Sequence, residues 1–216
     1  GLLEITIPDS VTTIKTSAFI DCKSLLKATL GTGFNTIGYH MFYNCWKLKE
    51  INIPSNITSI GYEAFYECYE LKNIIIPESV TSIDATAFKY CNNLSSVVFL
   101  GNAPNIAGNL FAGSGNVYYM PGTSGWGSTY SGFTTVQITK PNINSLNMSG
   151  AGNTQLTWSA IPGILYEIQS TDSLGNPFVT RAARTSTSLT ETWNETDVTI
   201  PSKRFYRVSM KIRYQN

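Results

Sequence analysis

The chain has 216 residues, a formal net charge of +1 and 13% charged residues. An average soluble domain carries about 25% charged residues, and a nearly neutral chain has no field that would draw it to nucleic acid or to an anionic membrane. No apolar run approaches the ~18 residues that a membrane-spanning helix needs. We therefore expect no nucleic-acid partner and no membrane insertion.

The first half of the sequence repeats with a period of 23 residues. The cysteines follow this period at Cys22, Cys45, Cys68 and Cys91. Five apolar series keep the same step, starting at Leu2, Ile7, Val11, Ile14 and Phe19. Self-similarity at a fixed period of this length is typical of solenoids. We therefore predict stacked coils, and we number them so that coil one contains Cys22 and coil four contains Cys91.

The spacing within a unit predicts the shape of one coil. A short alternating segment that ends in proline, as in Ile51-Asn52-Ile53-Pro54, predicts a strand that stops at a turn. The spacing i, i+1, i+4 and i+7 puts side chains on one side of a helical turn, and it occurs at Ala18, Phe19, Cys22 and Leu25. Each coil is therefore predicted to be a short β-strand plus a helical turn, and a single coil cannot bury its own apolar side.

This unit resembles the BspA-type leucine-rich repeat. The pattern L-x-x-I-x-I-P-x-x-V-T-x-I-x-x-x-A-F-x-x-C describes Leu71 to Cys91, and Leu48 to Cys68 follows it with Ile57 in place of the valine. The resemblance covers residues 1–138, because residues 101–104 and 117–122 are similar to the closing coil and cap of that family. It implies a leucine-rich-repeat solenoid whose C-terminal cap is about 112–138. It also implies a non-catalytic protein that is secreted or displayed on a cell surface, where such proteins are implicated in adhesion.

A second domain is predicted after the repeats. Residues 139–142 are interpreted as a linker, and residues 143–216 contain short alternating segments separated by turn residues such as Pro162-Gly163. Several short strands at this spacing favour an all-β sandwich. With Trp158 and Tyr166 on early core strands and Tyr206 on a late one, this region resembles a fibronectin type III-like module.

No constellation of residues indicates an enzyme. His40 is the only histidine, so a metal cluster or a triad with a second histidine is not available, and His40 is predicted to be a solvated surface residue. The four cysteines are predicted to be free thiols, because equivalent positions in a stack point the same way. Gly31-Thr32-Gly33 falls where other coils have repeat turns and lacks the Lys-Ser or Lys-Thr of a phosphate loop. We predict no cofactor and no metal.

The candidate binding residues are aromatic. Coil two has Tyr39, Tyr43 and Trp46 in the slots that coil three fills with Tyr62, Tyr66 and Tyr69. Side chains of this kind anchor protein interfaces and also stack on sugar rings. The alternative interpretation is that they only pack on each other between coils.

These observations predict an extracellular or cell-surface protein that binds a protein partner, of the extracellular matrix or of a host surface, through the outer side of its repeats. The alternative is a carbohydrate-binding module, in which the aromatic patch or the sandwich binds a glycan. An uncapped N-terminal coil would leave an exposed strand edge, so possible self-association through that coil is also predicted.

Overall fold

A computed structural model describes residues 1–106, 108–148, 154–195 and 204–211. Packing divides the chain into two units, of which the first comprises residues 1–138 and the second begins at Thr139. Each unit has its own sheets and its own buried apolar side chains.

In the first unit, the 23-residue period becomes a ladder of parallel strands. One sheet consists of β1 (Glu4–Thr6), β2 (Lys27–Thr29) and β4 (Glu50–Asn52). Ile5 pairs with Ala28, and Ala28 pairs with Ile51, so each strand lies one repeat beyond its neighbour. A second side of the coils carries three two-residue strands: β3 (Thr36–Ile37), β5 (Ser59–Ile60) and β7 (Ser82–Ile83).

The strand ladder is interrupted between coils three and four. Within the described residues, β4 does not pair with the next strand of the ladder, β6 (Asn73–Ile76). The side chain of Asn52 instead bonds to coil two: its Oδ1 accepts from the Leu30 N–H at 2.7 Å, and its Nδ2 donates to the Leu30 carbonyl at 3.1 Å. The two flanking coils stay joined elsewhere, because Ser59 and Ile60 of β5 pair with β7.

The predicted apolar series form the core of the solenoid. Coils two to four bury their Phe, Cys and Leu positions almost completely, at Phe42, Phe65, Phe88, Cys45, Cys68, Cys91, Leu48, Leu71 and Leu94. The phenylalanine rings stack along the axis, with centroids 5.5 Å apart from Phe42 to Phe65 and 5.1 Å apart from Phe65 to Phe88. Equivalent positions therefore pack on each other from coil to coil.

The predicted helical turn is wrong. The described residues contain no α-helix, and residues 16–21 form successive turns. Ser17 and Asp21 have φ values of 62° and 57°, and this conformation recurs at His40 and Asn44 in coil two. A residue in the left-handed region interrupts the right-handed rise of a helix.

These conformations turn backbone groups toward the next coil. The N–H groups of Ser17, Phe19 and Asp21 donate to carbonyls of coil two, at Tyr39, Met41 and Tyr43, over 2.9–3.0 Å. Residues between them keep local bonds, such as the Ile20 N–H to the Ser17 carbonyl. The segment therefore behaves as a further hydrogen-bonded ladder, and the i, i+4 and i+7 positions still point inward.

Glycine allows coils one and two to approach closely at one corner. A Cβ on Gly31 would lie 2.6 Å from the Ile7 carbonyl oxygen, and one on Gly33 would lie 2.2 Å from the Asp9 oxygen. Real Cβ atoms do not come so near backbone, so these glycines are required by packing. Gly31-Thr32-Gly33 is a bend within coil two, after β2, that packs against residues 7–11 of coil one.

The solenoid ends in shorter coils. The second sheet of the ladder continues through β6, β8 (Ser96–Phe99), β9 (Asn116–Tyr119) and β11 (Phe133–Gln137), and an antiparallel strand, β10 (Thr129–Tyr130), lies at its edge. The Phe111 and Phe133 rings, 4.6 Å apart, extend the aromatic stack into this region. Trp126 packs on Phe99 at 5.1 Å and on Tyr130 at 5.0 Å.

The second unit contains two three-stranded antiparallel sheets. One consists of β12 (Ile143–Met148), β13 (Thr154–Ser159) and β16 (Thr190–Asn194), and the other of β14 (Leu165–Thr171), β15 (Val179–Thr185) and β17 (Phe205–Lys211). Trp158 of β13 and Tyr166 of β14 are buried, with ring centroids 6.2 Å apart. Trp193 of β16 lies 6.2 Å from Tyr206 of β17.

The second unit contains two clusters of charged side chains, one around Glu191 and one around Arg204. The Glu191 carboxylate accepts from the Thr187 N–H at 2.9 Å and from the Ser186 hydroxyl at 3.0 Å, and Arg184 lies 3.7 Å away. Burial raises the pKa of Glu191, but these hydrogen bonds and the arginine charge outweigh it and lower the pKa below its ordinary value of 4.5. Arg204 is ion-paired with Asp172 and Glu195 at 3.0 and 3.4 Å.

Within the residues that the structure describes, no helix is long and apolar enough to cross a membrane.

Replacing Phe65 by alanine is expected to lower the free energy of unfolding of the solenoid by about 3–5 kcal/mol, because it leaves a cavity between two stacked rings. Amide hydrogen exchange of coils three and four in the intact chain should become about a hundredfold faster or more, since 1.4 kcal/mol is about tenfold. Phe65→Leu, which keeps most of the volume, should cost less than about 1.5 kcal/mol. Equal effects of the two changes would contradict the stacking role.

Glu191→Gln is expected to lower the free energy of unfolding of the second unit by about 1.5–3 kcal/mol at about pH 7, because an amide accepts weaker hydrogen bonds than a carboxylate. The pKa of Glu191 is depressed in the folded state, so its contribution is present above pH 4.5 and is lost as the pH falls through the folded pKa. Urea unfolding of the intact chain, followed by the fluorescence of Trp158 and Trp193 with Trp46 and Trp126 changed to phenylalanine, measures this. The two proteins should converge in acid, and a gap independent of pH would refute the assignment.

Candidate functional site

The six candidate residues lie on one outer side of the solenoid, which is built from the successive turns. We call this side the turn face: the outward side chains of residues 39–46 in coil two and 62–69 in coil three, with the equivalent residues 16–23 and 85–92. Backbone hydrogen bonds hold the aromatic positions in register. The Tyr39 and Tyr43 carbonyls accept from coil one, and the Tyr62 and Tyr66 carbonyls accept from the N–H groups of His40 and Asn44.

The middle column of the turn face is a closed stack. The Tyr43 and Tyr66 rings are nearly parallel, with centroids 4.7 Å apart and an angle of 4° between their planes. Tyr90 meets the other side of Tyr66 edge-on, at 5.0 Å and 89°. Because the coils stack along the solenoid axis, the ring faces look along that axis and are covered by each other. These rings present edges and hydroxyl groups outward.

The two outer columns are more open. Tyr39 and Tyr62 are 5.8 Å apart and tilted by 55°, and Trp46 and Tyr69 are 6.1 Å apart and tilted by 40°. Tyr39 is 60% exposed, Tyr62 39% and Trp46 38%. The structure therefore brings the six predicted residues together, with stacking in the middle and exposed rings on either side.

Lysine ammonium groups cover two rings at opposite ends of the turn face. Lys23 Nζ lies 4.1 Å from the centre of the Trp46 ring, and Lys89 Nζ lies 5.3 Å from that of Tyr90. Both are cation–π contacts, which draw an ammonium group to the face of an aromatic ring.

His40 is half-buried, which differs from the prediction of a solvated residue. Its ring lies between Tyr43 and Tyr62, at 5.2 and 5.5 Å, and its Nε2 is 3.3 Å from the Glu63 carboxylate. The φ of 54° at His40 repeats the left-handed conformation of Ser17 and Glu63 at the same position of the neighbouring coils. Its neighbours make it part of the aromatic surface.

Burial and nearby carboxylates keep the phenols protonated. Burial first, and the neighbouring phenols Tyr90 and Tyr43 next, raise the pKa of Tyr66 to about 12. A hydrogen bond to Glu63 and the charge of that residue raise the pKa of Tyr62. Burial and a hydrogen bond to Glu67 raise the pKa of Tyr69. The Tyr62 and Tyr69 hydroxyl groups donate to the carboxylates of Glu63 and Glu67, respectively.

Tyr90 is the member of this surface that sequence reasoning missed. It occupies the slot of Asp21, Asn44 and Glu67, one residue beyond the aromatic slot that coil four fills with Lys89. Its φ of 62° places the ring against Tyr66. The signal in the sequence was a tyrosine one residue beyond the aromatic slot. Only the backbone conformation shows that its ring joins the same column as Tyr43 and Tyr66.

The cysteines form an internal ladder and are free thiols. The Sγ atoms of Cys45, Cys68 and Cys91 donate to carbonyls of the preceding coil, those of Phe19, Phe42 and Phe65, over 3.0–3.3 Å. Burial raises the pKa of Cys45 to about 12. A protonated, buried thiol is neither a nucleophile nor a metal ligand. In the described part of the chain, no cluster of histidine, cysteine, aspartate and glutamate could hold a metal ion.

A family model matches the solenoid. The model of the BspA type leucine-rich repeat region matches residues 1–118 in six copies. No curated protein matches the chain.

Solved structures of leucine-rich repeat proteins also match. A leucine-rich cell surface protein from Faecalibacterium prausnitzii is 37% identical, with a TM-score of 0.46, over 47% of this chain and 27% of that one. The leucine-rich repeat protein of T. pallidum is 27% identical, with a TM-score of 0.45, over 55% of this chain and 61% of that one. The pneumococcal vaccine antigen PcpA is 24% identical, with a TM-score of 0.47, over 54% and 30%. The chain spans less than two thirds of each of these proteins.

The raised pKa of Tyr66 predicts a late phenol titration in the native protein. In the folded state, Tyr66 should ionise at about pH 12, whereas an unfolded tyrosine ionises near pH 10. Because the folded pKa is raised, the stack contributes its full stability below about pH 10 and loses it as the pH rises through the folded pKa. Phenolate absorbance of the native chain measures this.

Tyr66→Phe should remove absorbance only from the most alkaline part of the native curve. In about 8 M urea, the same variant should lose one tyrosine equivalent near pH 10. An equal loss near pH 10 in the native protein would contradict the stacked geometry.

Proposed function

Because this chain belongs to the BspA-type leucine-rich repeat family, we propose that it is a non-catalytic interaction protein that binds a protein partner through its turn face. The proposed location is extracellular or on the cell surface, and the proposed role is adhesion to a matrix or host protein. Membership of the family supports the location. The exposed rings of the outer columns carry the proposal of a binding role.

The arrangement of the rings favours a protein over a glycan. A sugar ring stacks on a free aromatic face, but Tyr43 and Tyr66 cover each other's faces, and Lys23 covers Trp46. What remains outward is the exposed rings of Tyr39 and Tyr62, together with ring edges, hydroxyl groups and carboxylates. Protein interfaces use tyrosine and tryptophan in this way, with an apolar body and a polar tip.

For the second unit, we propose a fibronectin type III-like β-sandwich that serves as spacer or anchor. The two three-stranded sheets, with orders β12-β13-β16 and β15-β14-β17, support this proposal. So do the aromatic pairs that join strands of different sheets, Trp158 with Tyr166 and Trp193 with Tyr206.

A binding screen of the intact chain against arrays of matrix proteins and glycans tests the proposed function. Saturable binding to a protein is expected. The double change Tyr39→Ser and Trp46→Ser should weaken it about tenfold or more, because aromatic anchors of an interface cost about 2 kcal/mol or more when removed. Both side chains are exposed, so the fold should survive, and circular dichroism checks this.

A matched control removes exposed apolar groups elsewhere. Leu174 and Leu189 of the second unit are 71% and 59% exposed, and changing both to serine should alter binding less than about twofold. Equal losses in the two variants would move the interface away from the turn face. Binding to glycans alone would favour the carbohydrate-binding alternative, and the absence of binding on both arrays would contradict the proposal.

A further inference from the structure

The turn of coil three carries a pattern that the other coils lack. It contains three Tyr-Glu pairs in succession, Tyr62-Glu63, Tyr66-Glu67 and Tyr69-Glu70, and residues 59–71 include no lysine or arginine. The equivalent turns of coils one and four mix both signs, with Asp21 beside Lys23 and Asp84 before Lys89. We call the three pairs the Tyr–Glu stripe.

The carboxylates of the stripe are held close to the rings. The Glu63 side chain is 16% exposed and lies 3.3 Å from His40 Nε2. Glu67 and Glu70 are half-buried. The ion pairs that the described residues form include no lysine or arginine partner for either of them. Partly buried carboxylates of this kind attract a cation strongly, since the local dielectric constant is lower than that of water.

The chain's own lysines provide an independent observation on the same surface. Lys23 and Lys89 place ammonium groups over Trp46 and Tyr90, which lie on either side of coil three. Rings of the turn face therefore already accept cations from within the molecule, whereas Tyr62 of the stripe is 39% exposed. A guanidinium group suits such a site especially well, because it stacks on aromatic rings and donates to a carboxylate at the same time.

We propose that the Tyr–Glu stripe recognises arginine and lysine side chains of an extended basic segment in the protein partner. Each carboxylate pairs with a cation, and the neighbouring phenol ring packs on the alkyl stem or the guanidinium plane. This inference rests on the proposed function, because it names the chemistry of the partner that the same face binds.

Fluorescence anisotropy of labelled hexa-arginine, titrated with the intact chain at about 0.15 M salt, tests the proposal. At this ionic strength, charges more than about 8 Å apart are largely screened. The triple change Glu63→Gln, Glu67→Gln and Glu70→Gln keeps the shape of the stripe and should weaken binding about tenfold or more.

The control removes the same charge from other parts of the solenoid. Glu4→Gln, Glu50→Gln and Glu78→Gln also change the net charge from +1 to +4, since three negative charges are lost. All three side chains are exposed, and binding should change less than about twofold. Equal weakening in the two triple variants, or equally tight binding of hexa-glutamate, would overturn the proposal.

Single variants, and a comparison of the peptide assay with the protein array, separate the remaining outcomes. If the triple variant does not fold, Glu67→Gln and Glu70→Gln are measured singly, each with an expected loss of about two- to fivefold. If a protein from the array binds through Tyr39 and Trp46 but hexa-arginine does not bind the Tyr–Glu stripe, this inference fails and the proposed function stands. If hexa-arginine binds the stripe but no array protein binds the chain, the proposed function fails separately.

Discussion

Hydrogen bonds between successive coils hold the solenoid in a single register. They run through the parallel strands, through the two-residue strands and through the successive turns, where alternate N–H groups donate to the following coil. A change in coil length would break every set present at that junction at once, so the residues of the regular coils meet their own equivalents one repeat later. The phenylalanine stack, the thiol ladder and the aromatic columns of the turn face all follow from this constraint. A lone coil has none of these partners, which is why stability resides between coils.

The sequence predicted this register but not the local conformation. From coil two onward the apolar series are buried where the period placed them, and the rings of Phe42, Phe65 and Phe88 stack on each other. The helical turn was wrong because an i, i+1, i+4 and i+7 spacing is satisfied equally by successive turns with left-handed residues. Asp21 and Asn44 are types that tolerate positive φ, but Glu67 and Tyr90 adopt it as well. Such residues take this conformation because the inter-coil bonds impose it, and no local pattern reveals it.

For the candidate site too, the sequence predicted the positions of the residues but not their local conformation. The period alone placed six aromatic residues in three columns on one side, and the structure brings them together. Which ring faces are open was not predictable, since it depends on how Tyr43, Tyr66 and Tyr90 turn against each other. The stacking interpretation and the binding interpretation therefore apply to different columns of one surface. The middle column provides cohesion between coils, and the proposed function assigns the outer columns and the carboxylates of coil three to a partner.

The unpaired edges of β4 and β6 give the solenoid a directional mechanical property. A force along the axis loads the junctions between coils in series, so the junction with the fewest bonds parts first. In the described solenoid, coils three and four lack strand pairing on one side, but the Phe65 and Glu67 N–H groups still donate to Ala87 and Lys89 on the turn face. Tension would therefore bend the rod open at its strand side, with the turn face as the hinge line. The aromatic surface would then stay closed while the strand side of the solenoid lengthens.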